Sequence, residues 1–121
     1  MVIHVAYEND PRVYVEISPA PYYVIQHGQT MIGVTHGHLK HGDALPLLFA
    51  SMFPKIWGAT TKRYSHEGHR HHKQIKELSG MIREMHQTLA PNDAHSARGG
   101  YFSERATNCI TYHKIYGEVG R

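Results

Sequence analysis

Twelve of the 121 residues are histidine, and they concentrate in two short stretches, Thr35-His36-Gly37-His38 and Gly68-His69-Arg70-His71-His72. Neutral imidazole is the commonest protein ligand for first-row transition metals. Two histidines spaced i, i+2 at a strand end project to one face, so His69 and His71 can share an ion, with His36 joining them if the chain returns beside itself. A glycine in each cluster lets backbone and ligand approach closely. Three imidazoles on one ion leave a position open for water, as catalytic zinc sites do. The expected metal ligands are therefore His36, His69 and His71, with His38 as the acid group of an active site. A set this rich in imidazole suits manganese, zinc, nickel or iron, with at least one ion bound. Asp43 and Glu67, the nearest carboxylates in sequence, read instead as a helix cap and a solvated strand residue. Arg63, Arg70, Lys73 and Arg98 are candidates for contacting phosphate, although solvated surface charge is the commoner role of each.

These side chains need elements that carry them to one place. Val13, Val15 and Ile17 alternate with Tyr14 and Glu16, predicting a half-buried strand ended by Ser18-Pro19. A second strand follows over 22–26, and His27-Gly28-Gln29 has the composition of a tight hairpin leading into a central strand over 31–35. His36 then sits at a strand's carboxyl end, where open α/β sheets build their sites. Between residues 43 and 53, Ala44, Leu45, Leu47, Leu48, Ala50 and Met52 mark a helix, with Asp43 as N-cap and Pro46 tolerated in its first turn. Leu45, Leu48 and Met52 form its core stripe. Pro54 stops the helix, and Trp57-Gly58 opens a loop.

The intervening helix is long enough to cross over a sheet, so the extended run Tyr64-Ser65-His66-Glu67 delivers the second cluster beside the first. Residues 73–78 and 81–85, separated by Ser79-Gly80, read as a two-residue hairpin. The stretch 92–100 is turn-rich with room for one helical turn. Residues 105–113 alternate again, with Ala106, Cys109 or Ile110, and Tyr112 as core candidates, and 116–119 supplies a last edge strand. The lone cysteine, Cys109, reads as a buried, inert thiol. The chain is expected to be one α/β domain over 1–121, mostly strands with one main helix.

Composition narrows the partners. Apolar residues at 40% and charged residues at 19% suit a folded globular chain rather than a disordered one. No apolar run approaches a membrane span, and the first residues lack the pattern of a signal peptide, so the expected location is cytoplasmic with no membrane partner. The net charge of +3 is compatible with a phosphate-bearing partner without requiring one.

Gly33-Val34-Thr35-His36-Gly37-His38 followed by Gly68-His69-Arg70-His71 resembles the last two motifs of the calcineurin-like metallophosphoesterases. It resembles in particular the phage- and prophage-encoded members, whose carboxyl half the whole chain matches, including the helix at Leu45-Pro46-Leu47 and the stretch Asp93-Ala94-His95. The resemblance implies half of a metallophosphoesterase-type β-sandwich, in which His36 and His69 serve one metal and His71 the other. It also implies hydrolysis of nucleic-acid or nucleotide phosphoesters, in the host cytoplasm for a phage-encoded chain. The family's earlier acidic motifs have no counterpart before His36, where the only aspartate is Asp10 in Asn9-Asp10-Pro11. A carboxylate normally bridges two ions held about 3.5–4 Å apart, so a complete two-metal centre calls for a companion chain or a homodimer mate. The competing reading is a non-catalytic phosphoesterase module that binds or inhibits a macromolecular target. Uncovered strand edges left by the missing half favour self-association.

Overall fold

The computed structural model describes residues 2–39, 42–91 and 104–121. Its architecture is α/β, with a mixed five-stranded sheet, a small two-stranded sheet and a few short helices. The large sheet has the order β1-β2-β3-β5-β4, built from β1 (Tyr22–His27), β2 (Thr30–Thr35), β3 (Lys62–Glu67), β4 (Gln74–Leu78) and β5 (Met81–Met85). The outer pairs β1–β2 and β4–β5 are antiparallel hairpins, and the inner strands β2, β3 and β5 run parallel. Parallel neighbours need a crossover. Here α2 (Leu45–Met52) and α3 (Pro54–Ala59) supply it between β2 and β3. The expected crossover and the Ser79-Gly80 hairpin both hold.

Gly28 at the first loop position of the β1–β2 hairpin has φ +60°, a conformation that glycine enters without steric cost. α2 lies on the sheet because Gly33, in the middle of β2, has no side chain. A Cβ there would fall 2.7 Å from Phe49 Cζ. The Phe49 ring fills that space and is fully buried, edge-on to Tyr22 with centroids 6.0 Å apart. Tyr22, Met31, Leu45, Phe49 and Met81 form the core, with Val24, Leu48, Phe53, Ile56 and Trp57 packed around them.

The opposite face of the sheet carries the antiparallel pair β6 (Thr111–His113) and β7 (Gly117–Gly120). Polar bonds fasten it. Thr30 Oγ1 donates to the His113 carbonyl at 2.8 Å, the Gln29 amide to the Lys114 carbonyl at 2.7 Å, and the Glu118 amide to the Tyr64 hydroxyl at 2.9 Å.

Several local expectations fail for identifiable reasons. Residues 12–17 alternate but form no strand; Val13, Tyr14 and Ile17 stay exposed because no neighbouring strand offers a ladder. The apolar start is instead the short helix α1 (Val2–Tyr7). Pro54 ends α2 and also begins α3, as proline suits the first helical turn, so Trp57-Gly58 is helical rather than loop. Asp43 does not cap α2, whose N-cap is Ala44 without a side-chain bond; Asp43 lies in the 3-10 turn Gly42–Ala44 and pairs with Lys76 Nζ at 2.5 Å. Met52 is exposed and Phe49 takes its place in the core stripe. Only residues 111–113 of the alternating 105–113 run are strand, and Cys109 is exposed. The turn-rich 92–100 stretch, with Asp93-Ala94-His95 and Arg98, lies outside the described residues.

Candidate metal centre

The carboxyl ends of β2, β3 and β5 lie side by side along one edge of the sheet, because the three strands are parallel and adjacent. In register, Thr35 pairs with Glu67, and Glu67 with Met85. The residues that follow these strand ends are His36, Gly68-His69 and His86. Topology alone therefore carries the two histidine clusters to one edge.

His36 Nε2 and His69 Nδ1 are 3.1 Å apart. Two imidazoles sharing one tetrahedral ion at about 2.0–2.1 Å have nitrogens roughly 3.3 Å apart, so this pair is spaced close to what a common divalent ion requires. The His38 ring stands 5.3 Å from that of His36 and 6.3 Å from that of His69, centroid to centroid. His36 and His69 thus meet with His38 beside them, although the three do not bring ligand atoms within 4.8 Å of one another as a set. His71 does not join them: it is exposed and makes no hydrogen bond, ion pair or ring contact with a described residue. The i, i+2 argument assumed an extended chain, but β3 ends at Glu67, and His69 and His71 both take left-handed backbone, with φ 57° and 56°. Non-glycine residues pay of order 1–3 kcal/mol for such conformations, and these cluster at functional sites. Arg70 lies between them, its amide bonded to the Gly68 carbonyl at 2.7 Å.

Beneath this edge sits an ion pair that the sequence reading missed. Glu67 is buried rather than solvated, and Arg83 from β5 grips it with two bonds, Nε to Oε1 at 2.6 Å and Nη2 to Oε2 at 2.9 Å. The carboxylate raises the Arg83 pKa further above its ordinary value. Glu67 also props the first cluster. Gly37, at φ +88°, lies so close that a Cβ there would be 3.2 Å from Glu67 Cβ and 3.3 Å from its Oε2. Both carboxylates nearest the clusters in sequence are therefore already engaged by cations. Arg63 is engaged as well, stacked 4.3 Å over the Trp57 ring and bonded to the Trp57 carbonyl, whereas Arg70 and Lys73 are exposed.

A second group was not expected. Among the described residues, His66, Glu84 and His86 bring three ligand atoms within 4.8 Å of one another, and this group could hold a metal ion. His66 Nδ1 is 2.7 Å from His86 Nε2, and His66 Nε2 is 2.7 Å from the Tyr112 hydroxyl. Buried Glu84 is held by both terminal nitrogens of Arg121, at 2.6 and 2.7 Å, and Arg121 also reaches Glu118. Burial, with His86 beside it, lowers the His66 pKa from its ordinary value; Arg121 lowers that of Glu84. Burial raises the Tyr112 pKa well above the usual phenol range. His66 and His86 also line a cleft of about 480 Å³, walled by Gln87, Thr88, Leu89 and Ile110 among others. In β3, period-2 alternation puts half-buried His66 on the face opposite buried Ser65 and Glu67. The sequence did not show that β5 would set Glu84 beside it.

No family model, curated protein or solved structure matches the chain. No helix among the described residues is long and apolar enough to cross a membrane.

Proposed function

We propose that this chain is a metal-binding, phosphoesterase-like protein, corresponding to the carboxyl half of a calcineurin-like sandwich, that hydrolyses nucleic-acid or nucleotide phosphoesters once a companion chain or second copy supplies acidic ligands. The observation that carries the reading is the approach of His36 Nε2 to His69 Nδ1, 3.1 Å, just past the ends of adjacent parallel strands. His36 and His69 would hold the ion. When bound, a divalent ion supplies Lewis-acid polarisation of a phosphoryl oxygen and a more acidic water. The chain's own contributions are separate. The Glu67–Arg83 pair ties the end of β3 to β5 beneath Gly37, and exposed His38, its ring 5.3 Å from that of His36, would hand a proton to a leaving group near the His36–His69 pair.

His71, assigned by the resemblance to a second ion, needs carboxylates beside it. Among the described residues, neither Asp43 nor Glu67 joins His71 in a group of three ligand atoms. That requirement is the reason for the companion chain.

The test uses untagged full-length protein dialysed against Mn²⁺ or Zn²⁺ and analysed for metal. His36→Ala and His69→Ala should each lose one ion relative to wild type, whereas His72→Ala, whose ring only reaches the Arg70 carbonyl, should not. Equal metal content in all four proteins overturns the reading. Hydrolysis of bis(p-nitrophenyl) phosphate that requires His69 supports the catalytic assignment; a bound ion without turnover, even with added cell extract, leaves the binding module.

A further inference from the structure

We propose that His66, His86 and Glu84 form a second divalent-metal site, distinct from the His36–His69 pair, which pins the β6–β7 hairpin to the large sheet. The donors come from two strands that topology makes adjacent: His66 lies in β3, Glu84 in β5, and His86 just beyond β5. His66 pairs in register with Glu84. The chain thus delivers an N, N, O set that suits a borderline ion such as zinc, cobalt or nickel.

The two nitrogens, His66 Nδ1 and His86 Nε2, point at each other across 2.7 Å. An ion at about 2.0–2.1 Å from each would separate them to roughly 3.3 Å, a small outward shift for two side chains that are only part-buried. Glu84 is close enough to serve both rings. Its Oε1 is 3.9 Å from His86 Nδ1, and one ligand atom from each of the three side chains falls within 4.8 Å of the other two. Arg121 does not exhaust this carboxylate. A carboxylate offers about four lone-pair positions and the guanidinium takes two, leaving Glu84 able to bind an ion while Arg121 keeps it in place. The cleft beside His66 and His86 gives an ion and a water a way in.

The proton balance closes within the group. In the ion-free pair one ring places its proton between the two nitrogens. On binding, that ring moves the proton to its other nitrogen, so that His66 carries it on Nε2, facing Tyr112, and His86 on Nδ1, facing Glu84. No proton need leave. Tyr112 then accepts from His66 Nε2, the outer contact that orients a metal-bound imidazole. Because Tyr112 belongs to β6 and Arg121 immediately follows β7, filling the site tightens both strands against the sheet.

The test begins from His36→Ala/His69→Ala, which removes the other site. This variant should still retain one ion after dialysis against Zn²⁺ or Co²⁺, and its Co²⁺ form should show the visible absorption of a low-coordinate site. Adding His66→Gln or His86→Gln should abolish both signals. To guard against unfolding of those variants, the wild-type chain is titrated with Zn²⁺ while its imidazole nitrogen resonances are followed. His66 Nδ1 and His86 Nε2 should move together, and amides of 111–113 and 117–120 should gain protection from hydrogen exchange. Retention of no ion by the double variant, or a titration that leaves both rings unmoved, overturns the proposal. Neither result bears on the His36–His69 reading, which has its own variants.

Discussion

Removing the guanidinium of Arg83 should be among the most damaging single changes in the chain. Glu67 retains only 4% of its side-chain exposure and Arg83 11%, and the two bonds between them are short. Arg83→Met therefore leaves a buried carboxylate with no cation, a change that typically costs about 3–5 kcal/mol. Marginal domains hold only about 5–15 kcal/mol in all. With a urea slope of about 1–3 kcal/mol/M, a loss of 3 kcal/mol lowers the midpoint by roughly 1–3 M. The double change Glu67→Leu/Arg83→Met removes the stranded charge and should recover most of the loss, since apolar replacement of a whole buried pair is often neutral or better. The cycle's coupling energy should then be above about 2 kcal/mol. A functional consequence accompanies the loss of stability. Glu67 sits under Gly37 and precedes Gly68-His69, so Arg83→Met should also weaken metal binding by His36 and His69, by about 10-fold or more, as loss of outer-sphere support commonly does. Urea melts of the four proteins, with and without metal, decide the matter. A midpoint shift under a few tenths molar for Arg83→Met, or a double variant no better than the single, would refute the account of Glu67 as a buried, clamped anion.

Gly33→Ala should destabilise by about 1–3 kcal/mol, because the new methyl would enter the Phe49 ring at 2.7 Å, and Phe49→Leu should relieve part of that loss in the double variant, measured by urea melting. Exposed Cys109 should react with a thiol reagent in the native protein at a rate close to that in denaturant. In chelator, stability should fall as pH drops below 6.5. His66 has its native pKa lowered from 6.5, so the unfolded chain binds more protons there, and the loss continues down to the native value; thermal melts from pH 7.5 to 5 test the sign. His66→Gln should flatten that dependence.

The sheet's central logic was legible because it rests on strong local signals. Met31 to Thr35 and Tyr64 to Glu67 each end in a histidine-glycine cluster, and an apolar helix between them forces a crossover, which makes the strands parallel and puts the clusters on one edge. The meeting of His36 with His69 follows from that. What failed was alternation without a partner. Val13, Val15 and Ile17 have the period of a strand, yet a strand exists only where a neighbour accepts its hydrogen bonds, and nothing in those residues says whether one is present. His71 failed for a related reason. The i, i+2 rule holds on extended chain, and the left-handed turn at His69 and His71 replaces it.

Long-range pairing explains the rest. Glu67 looked solvated because its neighbours Ser65 and His66 are polar, but the buried face of β3 includes Glu67 and Ser65, and a charge survives there only because β5 aligns Arg83 with Ser65, two residues from Glu67 on the same face. The same register that sets Arg83 on one face sets Glu84 on the other, next to His66. Consecutive residues of one strand thus serve two separate polar groups, Arg83 beneath the first candidate site and Glu84 within the second. A register slip of one residue between β3 and β5 would dismantle both at once, stranding Glu67 and parting His66 from Glu84. The short Ser79-Gly80 turn, with Gly80 at φ +76°, fixes β5 against β4, and the Met81 and Met85 side chains on the core face hold it against β3. Replacing Gly80 with a β-branched residue such as valine should therefore weaken metal binding at both histidine groups together, although it touches neither. Loss at one group with full retention at the other, read by the same imidazole titration, would show that the two sites do not share this strand as their common frame.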